Sequence, residues 1–372
     1  MSALISRLPQ FPWDSLAQAT ELACSHPGGL VDLSVGTPVD PSPAIAQAAL
    51  CAAADAPGYP ATWGTPELRQ AIIAYLRRRW NAVALGERNV LPVIGTKEFV
   101  AWLPTMLGVG AADTVVIPVM AYPTYEVGAR VAGARVVATD DPAALATIGP
   151  ALVWINSPAN PHGRILTADE TRAWVRAARA CGAVLASDEC YGEFGWDAEP
   201  VSVLDESICE GSPQGLLAIF SESKRSNVAG YRAGYVAGDE ALASDLLEAC
   251  KHTGLMVPTP VQSAMTVLLG DQTHVDEQRA RYLRRRAVLR PALEAAGFRV
   301  EHSEGSLYLW CTRSESGRAS VDFLATLGIL VAPGDFYGPT ATDFVRVALT
   351  ATDERIQAAA ERLYAANVRP QA

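Results

Sequence analysis

The sequence predicts an α/β protein with a mostly parallel central sheet, helices on both faces of that sheet, and a smaller α+β domain. Short β-rich runs alternate with longer helical patterns in the middle of the chain, which is typical of repeated strand–helix units. The strand candidates 151–155 and 183–186 are continuously apolar, as expected for parallel strands buried on both faces. From about residue 275 the alternation stops, and a long arginine-rich helical pattern precedes short strands.

The elements of the large domain follow in order along the chain. Strands are predicted at residues 90–94, 114–118, 135–138, 151–156, 183–187, 216–220 and 234–237. Helices are predicted between them, at residues 98–107, 125–132, 168–181 and 240–252.

The remainder of the chain is predicted to form the second domain. Its elements are a helix at 273–296, strands at 299–300, 307–310, 329–332 and 344–348, and a last helix at 353–366. The first 35 residues lack strand alternation and are expected to pack with these elements. The predicted division is a large domain at residues 36–270 and a small domain at residues 1–35 and 271–372.

Composition argues against several classes of partner. The net charge is −10 with acidic and basic residues interspersed, so nucleic acid is not an expected partner. No apolar run approaches the roughly 18 residues of a membrane span, and none is expected. Seven cysteines without a C-x-x-C pair predict reduced thiols in a cytoplasmic protein. The five histidines are far apart, so no metal site is expected.

Polar motifs follow three successive predicted strands. Residues 151–155 lead into Asn-Ser-Pro-Ala-Asn-Pro-His-Gly, residues 183–187 lead into Asp-Glu-Cys-Tyr, and residues 216–220 lead into Ser-Glu-Ser-Lys. Ligands of open α/β sheets bind beyond the carboxyl ends of the strands. The three motifs are therefore expected to bring an amide, a carboxylate with a phenol, and an amine to one edge of the sheet.

The lysine of the third motif, Lys224, stands out because lysine is scarce. Only three of the 30 Lys and Arg residues are lysines: Lys97, Lys224 and Lys251. Arginine cannot replace lysine where the chemistry needs a neutral amine, since the guanidinium stays protonated. A solvated surface lysine is the simpler interpretation, but the surrounding hydroxyls, glycines and Arg232 favour a Schiff-base lysine.

The combined motifs resemble one enzyme family. The set is N-x-P-x-N-P-x-G at 156–163, D-E-x-Y at 188–191, S-x-S-K at 221–224, an arginine eight residues after that lysine, and a C-terminal arginine, Arg346. It resembles the pyridoxal-phosphate-dependent aminotransferases of fold type I, over nearly all of residues 34–349. The resemblance implies a fold type I protein that binds pyridoxal 5′-phosphate in its large domain, transfers amino groups between amino acids and 2-oxo acids, and forms a homodimer.

The resemblance also implies roles for residues around the cofactor ring. Lys224 is expected to hold the cofactor as a Schiff base and to move the substrate α-proton. Asp188 is expected to pair with the pyridinium nitrogen and to keep it protonated. Asn160 and Tyr191 would bind the ring oxygen, and Tyr122 would stack on the ring.

The cofactor phosphate and the substrate carboxylate require further donors. By the same resemblance, the residues expected to bind the phosphate are Thr96, Lys97, Ser221, Ser223, Arg232 and, from the partner subunit of a homodimer, Tyr59. Arg346 would bind the substrate α-carboxylate, together with Gly36 and Asn160.

Three segments point to a substrate. Residues 8–14, 34–40 and 332–338 look like those of a bacterial subgroup assigned to N-succinyl-diaminopimelate aminotransferase, which serves lysine biosynthesis with glutamate as amino donor. Such a substrate carries a second carboxylate, for which Lys97, Arg225 and Lys251 are candidate partners.

Other functions fit the motifs less closely. The same fold and motifs also support another aminotransferase specificity or a pyridoxal-phosphate-dependent C–S β-lyase. A non-catalytic regulator with this fold would need a DNA-binding extension, and none is recognised. A nicotinamide oxidoreductase is disfavoured, because Gly108-Val109-Gly110 lacks a third glycine and precedes a strand instead of following one.

Overall fold

The computed structural model describes residues 8–367 and places helices and strands in alternation through most of them. The strands are β1 (Val31–Asp32), β2 (Val90–Val93), β3 (Thr114–Ile117), β4 (Arg135–Ala138), β5 (Leu152–Asn156), β6 (Val184–Asp188), β7 (Leu216–Ser221), β8 (Gly234–Gly238), β9 (Arg299–Glu301), β10 (Tyr308–Thr312), β11 (Ile329–Leu330), β12 (Ala332–Pro333) and β13 (Val345–Ala348). The helices are α1 (Ala17–Cys24), α2 (Ala44–Ala52), α3 (Pro66–Trp80), α4 (Thr96–Met106), α5 (Thr124–Ala132), α6 (Leu145–Ile148), α7 (Ala168–Ala180), α8 (Glu206–Cys209), α9 (Glu222–Arg225), α10 (Glu240–Thr253), α11 (Thr259–Gly270), α12 (Thr273–Ala295), α13 (Gly317–Thr326) and α14 (Asp353–Asn367).

The central sheet has seven strands in the order β2-β8-β7-β6-β5-β3-β4. The pairs β7–β6, β6–β5, β5–β3 and β3–β4 are parallel, whereas β8 runs antiparallel to both of its neighbours. The prediction of a mostly parallel α/β sheet is therefore confirmed, and every strand predicted for it is present.

Helices cover both faces of this sheet because successive strand residues point to opposite sides. On β5, Val153 and Ile155 pack into a core with helices α3, α7 and α11. Leu152 and Trp154 pack into a second core with α4, α5 and α10. All five residues of β5 are buried, as its apolar sequence predicts.

The C-terminal third of the chain forms an antiparallel sheet in the order β12-β13-β10-β9, over which α12 and α14 pack. The N-terminal segment contributes β1, which pairs in parallel with β11. A single strand predicted at 329–332 is instead two strands, β11 and β12, which belong to different sheets. The chain changes sheets at Val331, a break that apolar sequence alone does not signal.

One buried ion pair fixes the segment that follows β1. Arg285 of α12 donates to both carboxylate oxygens of Asp40, at 2.8 and 2.7 Å, and its Nε donates to Asp353 at 2.6 Å. Burial raises the pKa of Asp40, but the bonds from Arg285 and Gln278 outweigh it and lower that pKa overall. The pair anchors residues 36–40 beside the cavity described below.

Among the described helices, none is both long enough and apolar enough to cross a membrane.

Two backbone hydrogen bonds join the turn after β5 to the segment before β10. Ser303 N donates to His162 O at 2.8 Å, and Gly305 N donates to Gly163 O at 2.8 Å. Gly163 has φ +73°, and a Cβ there would lie 2.5 Å from the carbonyl oxygen of Gly305. The position therefore requires glycine both for its conformation and for the close backbone approach.

We predict that Gly163→Ala lowers the free energy of unfolding by more than about 2 kcal/mol, because the new methyl group meets rigid backbone. Gly133→Ala is the matched control, since Gly133 has φ +82° but nothing lies within 4 Å of the position that a methyl group would take there. The control should lose only the conformational term, about 1 kcal/mol. Urea unfolding of both variants measures the difference, and equal losses would contradict the close approach.

Candidate active site

The parallel strands bring the three polar motifs to one edge of the sheet. Asn156 at the end of β5 is paired in register with Asp188 at the end of β6. The adjacent strand β7 ends at Ser221, and α9 with Lys224 follows directly. Asp188, Ser221 and Lys224 all line one cavity of about 1040 Å³. The predicted convergence of strand ends is present.

Asp188 is a buried carboxylate at the base of this cavity. Tyr125 Oη donates to its Oδ2 at 2.7 Å, and the Cys190 backbone N–H donates to its Oδ1 at 3.2 Å. Tyr125 is itself held by stacking on Trp154, at 4.7 Å between ring centroids. Burial raises the pKa of Asp188 despite these hydrogen bonds. A buried acid of this kind suits a cationic partner such as a protonated pyridine ring.

Lys224 reaches across the cavity to the N-terminal segment. Its Nζ donates to the carbonyl oxygen of Gly36. Burial lowers the pKa of Lys224, and the positive charges of Arg346 and Arg232 act in the same direction. The lowered pKa increases the fraction of neutral amine, which is the form that reacts with carbonyl groups.

Asn160 connects the turn after β5 to Arg346. Its backbone N–H donates to Asn156 Oδ1 at 2.7 Å, and its own Oδ1 accepts from Arg346 Nη1 at 2.8 Å. Asn156 Nδ2 also donates to the carbonyl oxygen of Asp188 at 2.7 Å. This chain of bonds links the Asp188 backbone, through the turn after β5, to the Arg346 guanidinium.

Arg346, on β13, is buried and only partly satisfied by protein groups. Its Nη2 donates to Ser34 O at 2.7 Å, while its Nε has no hydrogen-bond partner among the described residues. Its guanidinium lies 4.0 Å from the ring centroid of Tyr308. A buried cation with a free donor suits a carboxylate ligand.

Tyr191 contacts a residue that the sequence reasoning missed, Tyr308. The two hydroxyl oxygens are 2.9 Å apart. A Cβ on Gly36 would lie 2.2 Å from Tyr308 Oη, so the hydroxyl fits only against a glycine. The sequence predicts a strand that contains Tyr308. It does not show that this strand pairs with the strand that carries Arg346, because the two are far apart in the chain.

Tyr122 forms part of the cavity wall, half-buried, with its ring edge-on to Tyr125 at 5.6 Å. Burial raises the pKa of Tyr122 to about 12. It therefore stays a neutral aromatic surface, as expected for a residue that stacks on a ring.

The predicted phosphate residues surround the start of α4. Gly95, with φ +72°, precedes the helix, and a Cβ there would lie 2.2 Å from Arg232 Nη2. Thr96, Lys97, Ser221, Ser223 and Arg232 all line the cavity. Backbone N–H groups at a helix start, two hydroxyls and a guanidinium together suit a phosphate dianion.

Other predicted residues lie outside this arrangement. Tyr59 does not line the cavity of its own chain, and its side chain is 96% exposed. Lys251 is exposed and pairs with Glu248 at 2.6 Å. The role suggested for Arg225 is wrong, because Arg225 is buried against Glu193 and Glu222, at 3.4 and 3.5 Å. Lys97, in contrast to these three residues, does line the cavity, and its side chain is exposed.

The outer wall of the cavity comes from the N-terminal segment, to which sequence reasoning assigned no contact with ligand. Residues 8–14 line the cavity, including Phe11 and Trp13. The rings of Phe11 and Trp13 are 5.6 Å apart, and Trp13 packs on Phe336 at 5.1 Å. An aromatic surface therefore faces any ligand that extends outward from Lys224.

Comparison with known proteins identifies the family. The sequence pattern of the family described as aminotransferase class I and II matches residues 29–363, and this chain belongs to that family. It is 58% identical to a probable aminotransferase of Mycobacterium tuberculosis, over 96% of this chain and 85% of the relative. It is 57% identical to the 4-dedimethylamino-4-oxo-anhydrotetracycline transaminase of Streptomyces rimosus, over 96% and 99% of the two chains.

More distant proteins agree with this assignment. An LL-diaminopimelate aminotransferase of Dehalococcoides mccartyi is 28% identical over the full length of both chains. The solved structure of an aminotransferase from Neisseria meningitidis is 30% identical and superposes with a TM-score of 0.87, covering 98% of this chain and 99% of that one. The fold is the aspartate-aminotransferase-like fold type I, as the motifs predict.

The cofactor of this chain is pyridoxal 5′-phosphate. The cavity fits that molecule: Asp188 offers a buried carboxylate for the ring nitrogen, Lys224 an amine for the aldehyde, and the start of α4 an anion cradle. Tyr122 supplies an aromatic face beside the same cavity.

We predict that Asp188→Asn weakens pyridoxal phosphate binding by about tenfold or more, because the ring nitrogen loses its charged partner. The cofactor-free chain should lose no stability at pH 7. Burial raises the folded-state pKa of Asp188 above 3.8, so ionisation of Asp188 lowers the free energy of unfolding as the pH rises from that value to the folded-state pKa. The Asn variant has no carboxyl group at this position and lacks this loss.

Glu189→Gln is the matched control for this prediction. Glu189 is also buried, with its pKa raised to about 7 by burial, but it does not line the cavity. Cofactor titration by absorbance measures the first effect, and thermal unfolding followed upward from about pH 4 measures the second. Equal cofactor affinity in Asp188→Asn and the native protein would contradict the assignment.

Proposed function

We propose that this chain catalyses amino transfer between an amino acid and a 2-oxo acid, with Lys224 as the cofactor lysine and proton carrier. The observation that carries this proposal is the convergence of Asp188, Lys224 and Arg346 on a single cavity. A buried acid, an amine whose pKa is lowered by burial, and a guanidinium with one free donor among the described residues are the groups that this chemistry needs.

The bound cofactor supplies a ring that withdraws electrons from the substrate Cα. Asp188 supports this by holding positive charge at the ring nitrogen. Asn160, Tyr191 and Tyr122 line the same cavity, where Asn160 and Tyr191 would orient the ring and Tyr122 would pack on it. These residues position the cofactor and do not themselves exchange the substrate proton.

Lys224 performs the proton transfer in this proposal. Burial lowers the pKa of Lys224, which increases the fraction of neutral amine that can accept the substrate α-proton and later return a proton to the cofactor–substrate adduct. The hydrogen bond to Gly36 O supports this role, because it brings the amine to the segment that faces Arg346.

Arg346 orients the substrate in this proposal. Its Nε is free among the described residues, and its two terminal nitrogens are fixed by Ser34 and Asn160. A carboxylate bound here would hold the amino acid in the cavity that Lys224 also lines. Gly36 lines the same cavity, and the position requires glycine because any side chain there would collide with Tyr308.

A homodimer with shared active sites is part of the proposal. Tyr59 is 96% exposed although it is a large aromatic residue. In the family, a tyrosine in this position approaches the cofactor phosphate of the partner subunit. The exposure leaves the Tyr59 ring accessible for such a contact.

For the substrate we propose N-succinyl-LL-2,6-diaminopimelate, with 2-oxoglutarate as the amino acceptor, in lysine biosynthesis. The cavity, of about 1040 Å³, has room for a long substrate beside the cofactor. Lys97 places an exposed amine in its wall, where a succinyl carboxylate can pair with it. A relative at 28% identity is named for the related LL-diaminopimelate.

A second substrate class has its own support. The relative from Streptomyces rimosus, at 57% identity, is named for a polycyclic ketone. The aromatic wall of Phe11 and Trp13 could pack against such a flat molecule. The two candidates differ in charge, since only the first carries a distal carboxylate that needs Lys97.

We predict that succinyl-diaminopimelate and glutamate convert the bound cofactor to its aminated form faster than alanine or aromatic amino acids. Each donor is mixed singly with the loaded enzyme, and conversion is followed by absorbance. Lys97→Ala should raise the concentration of succinyl-diaminopimelate needed for half-maximal rate, because the distal carboxylate loses its cation. Lys251→Ala, which changes an exposed lysine outside the cavity, is the matched control.

Three outcomes would redirect the assignment. Preference for alanine or aromatic donors would refute the proposed substrate. Amination of the ketone that the Streptomyces relative's name describes, with no response to succinyl-diaminopimelate, would select the second class. Release of pyruvate and ammonia from a cysteine conjugate without any 2-oxo acid would select a β-lyase.

A further inference from the structure

A small internal cavity lies directly behind the cofactor cavity, and we call it the rear cavity. Its volume is about 10 Å³, and Cys190 and Ser221 line both cavities. A cavity needs roughly 10–15 Å³ of such volume to hold one water molecule. The rear cavity therefore has the size of a site for a single water molecule or ion, and not for an organic ligand.

The motifs that build the cofactor cavity also build the rear cavity. Asp188 lines the cofactor cavity, and Glu189, the next residue of the D-E-x-Y motif, lines the rear cavity. Glu222 of the S-x-S-K motif lines the rear cavity too, as does Arg225, which directly follows that motif. The rear cavity is thus enclosed by the sequence neighbours of the residues that face the cofactor.

Five buried polar atoms of the residues that line the rear cavity have no hydrogen-bond partner among the described residues. They are Trp80 Nε1, Glu189 Oε2, Glu222 Oε1, Arg225 Nε and Tyr235 Oη. All five residues are at most 4% exposed. Buried polar atoms are rarely left unpaired in folded proteins, because the loss of water is then not compensated. Their convergence on one cavity indicates a polar ligand.

The two carboxylates are each held by one oxygen. Glu189 Oε1 accepts from Val203 N at 2.9 Å, and Glu222 Oε2 accepts from Ser226 Oγ at 2.8 Å. The second oxygen of each carboxylate remains for a ligand that donates hydrogen bonds. Both side chains are therefore fixed before the ligand binds.

The mixture of donors and acceptors decides which ligand fits. Two carboxylate oxygens repel an anion, whereas the N–H groups of Trp80 and Arg225 repel a cation. No group of three or more His, Cys, Asp or Glu side chains within residues 8–367 is arranged to hold a metal ion. A water molecule both donates and accepts, and it is the small ligand that satisfies both kinds of atom.

We propose that the rear cavity binds one water molecule, which links the end of β6 and helix α9 to β8 behind the cofactor. The water donates to Glu189 Oε2 and Glu222 Oε1. It accepts from Tyr235 Oη and from one N–H group, that of Trp80 or Arg225. The site does not depend on which substrate the enzyme uses, so its failure would leave the proposed function untouched.

The water holds α9, the short helix that carries Lys224. Glu222 is the first residue of α9, and its side chain joins the helix to the water. Tyr235 lies on β8, where it is paired in register with Phe220 of β7. Tyr235 thus acts on α9 through the water and is a positioning residue for this helix.

Tyr235→Phe tests the proposal, because it removes the hydroxyl and keeps the ring, which stacks on Phe220 at 5.1 Å. If the hydroxyl binds the water, its loss should lower the melting temperature of the loaded enzyme by about 2 °C or more. Removal of a buried hydroxyl without any partner would instead leave the melting temperature unchanged or raise it. An unchanged or raised value would therefore overturn the proposal.

Tyr337→Phe is the matched control. The hydroxyl of Tyr337 is also buried without a partner among the described residues, but Tyr337 does not line the rear cavity. Its removal should not lower the melting temperature. An equal fall in both variants would count against the proposal, because the loss would then not be specific to the rear cavity.

Hydrogen exchange of the loaded enzyme tests the link to α9. The backbone N–H of Ser226 donates to Glu222 O at 2.9 Å and reports opening of this helix. We predict that this amide exchanges about fivefold faster in Tyr235→Phe, and at the native rate in Tyr337→Phe. Native exchange at Ser226 in Tyr235→Phe would refute the positioning role of Tyr235.

Two measurements on the native enzyme identify the ligand, and they decide if Tyr235→Phe does not fold. A high-resolution crystal structure should show one oxygen atom within about 3.2 Å of both Glu222 Oε1 and Tyr235 Oη. A rear cavity without electron density would overturn the proposal. The melting temperature should be equal in sodium, potassium and choline chloride at the same concentration, and a rise specific to sodium or potassium would replace the water by a cation.

Discussion

The parallel pairing of β5, β6 and β7 is the constraint on which the site depends. Because neighbouring strands run in the same direction, their carboxyl ends meet, and Asn156 is held beside Asp188 in register. The bonds from Asn156 to the Asp188 carbonyl and the Asn160 backbone then fix the turn that carries the amide to Arg346. A shift of one residue in this register would turn Asp188 to the other face of the sheet.

The site is also shaped by the cost of burying charge. Among the described residues, no cation pairs with the buried Asp188 carboxylate, and Arg346 keeps one donor without a partner. In the proposed function, the cofactor ring would pair with Asp188 and the substrate carboxylate with Arg346. The same reasoning separates Arg225 from function, because its guanidinium is already neutralised by Glu193 and Glu222 in the core. Within residues 8–367, Arg225 has two carboxylate partners and Arg346 has none, so the lack of an ion-pair partner, more than the presence of charge, distinguishes the cation that faces the cavity.

Local sequence was enough to predict the central sheet and the groups at its edge. The strand candidates were apolar, and the motifs that followed them carried Asn160, Asp188 and Lys224 into one cavity. The break between β11 and β12, the approach of Tyr308 to Gly36 and the aromatic wall of Phe11 and Trp13 were not predictable in this way. Each depends on contacts between segments far apart in the chain, to which periodicity is blind. Arg225 is a case where the local sequence misleads, because it directly follows the Ser-Glu-Ser-Lys motif but its side chain is buried in the core.

The identity of the cofactor lysine is the central claim, and the scarcity of lysine makes it directly measurable. Borohydride reduction of the loaded enzyme fixes the cofactor to the lysine that holds it, and peptide mapping then locates the adduct. We expect a single adduct on Lys224, whose amine is the one that burial and neighbouring cations keep reactive. An adduct on Lys97 or Lys251, with Lys224 unmodified, would contradict this assignment.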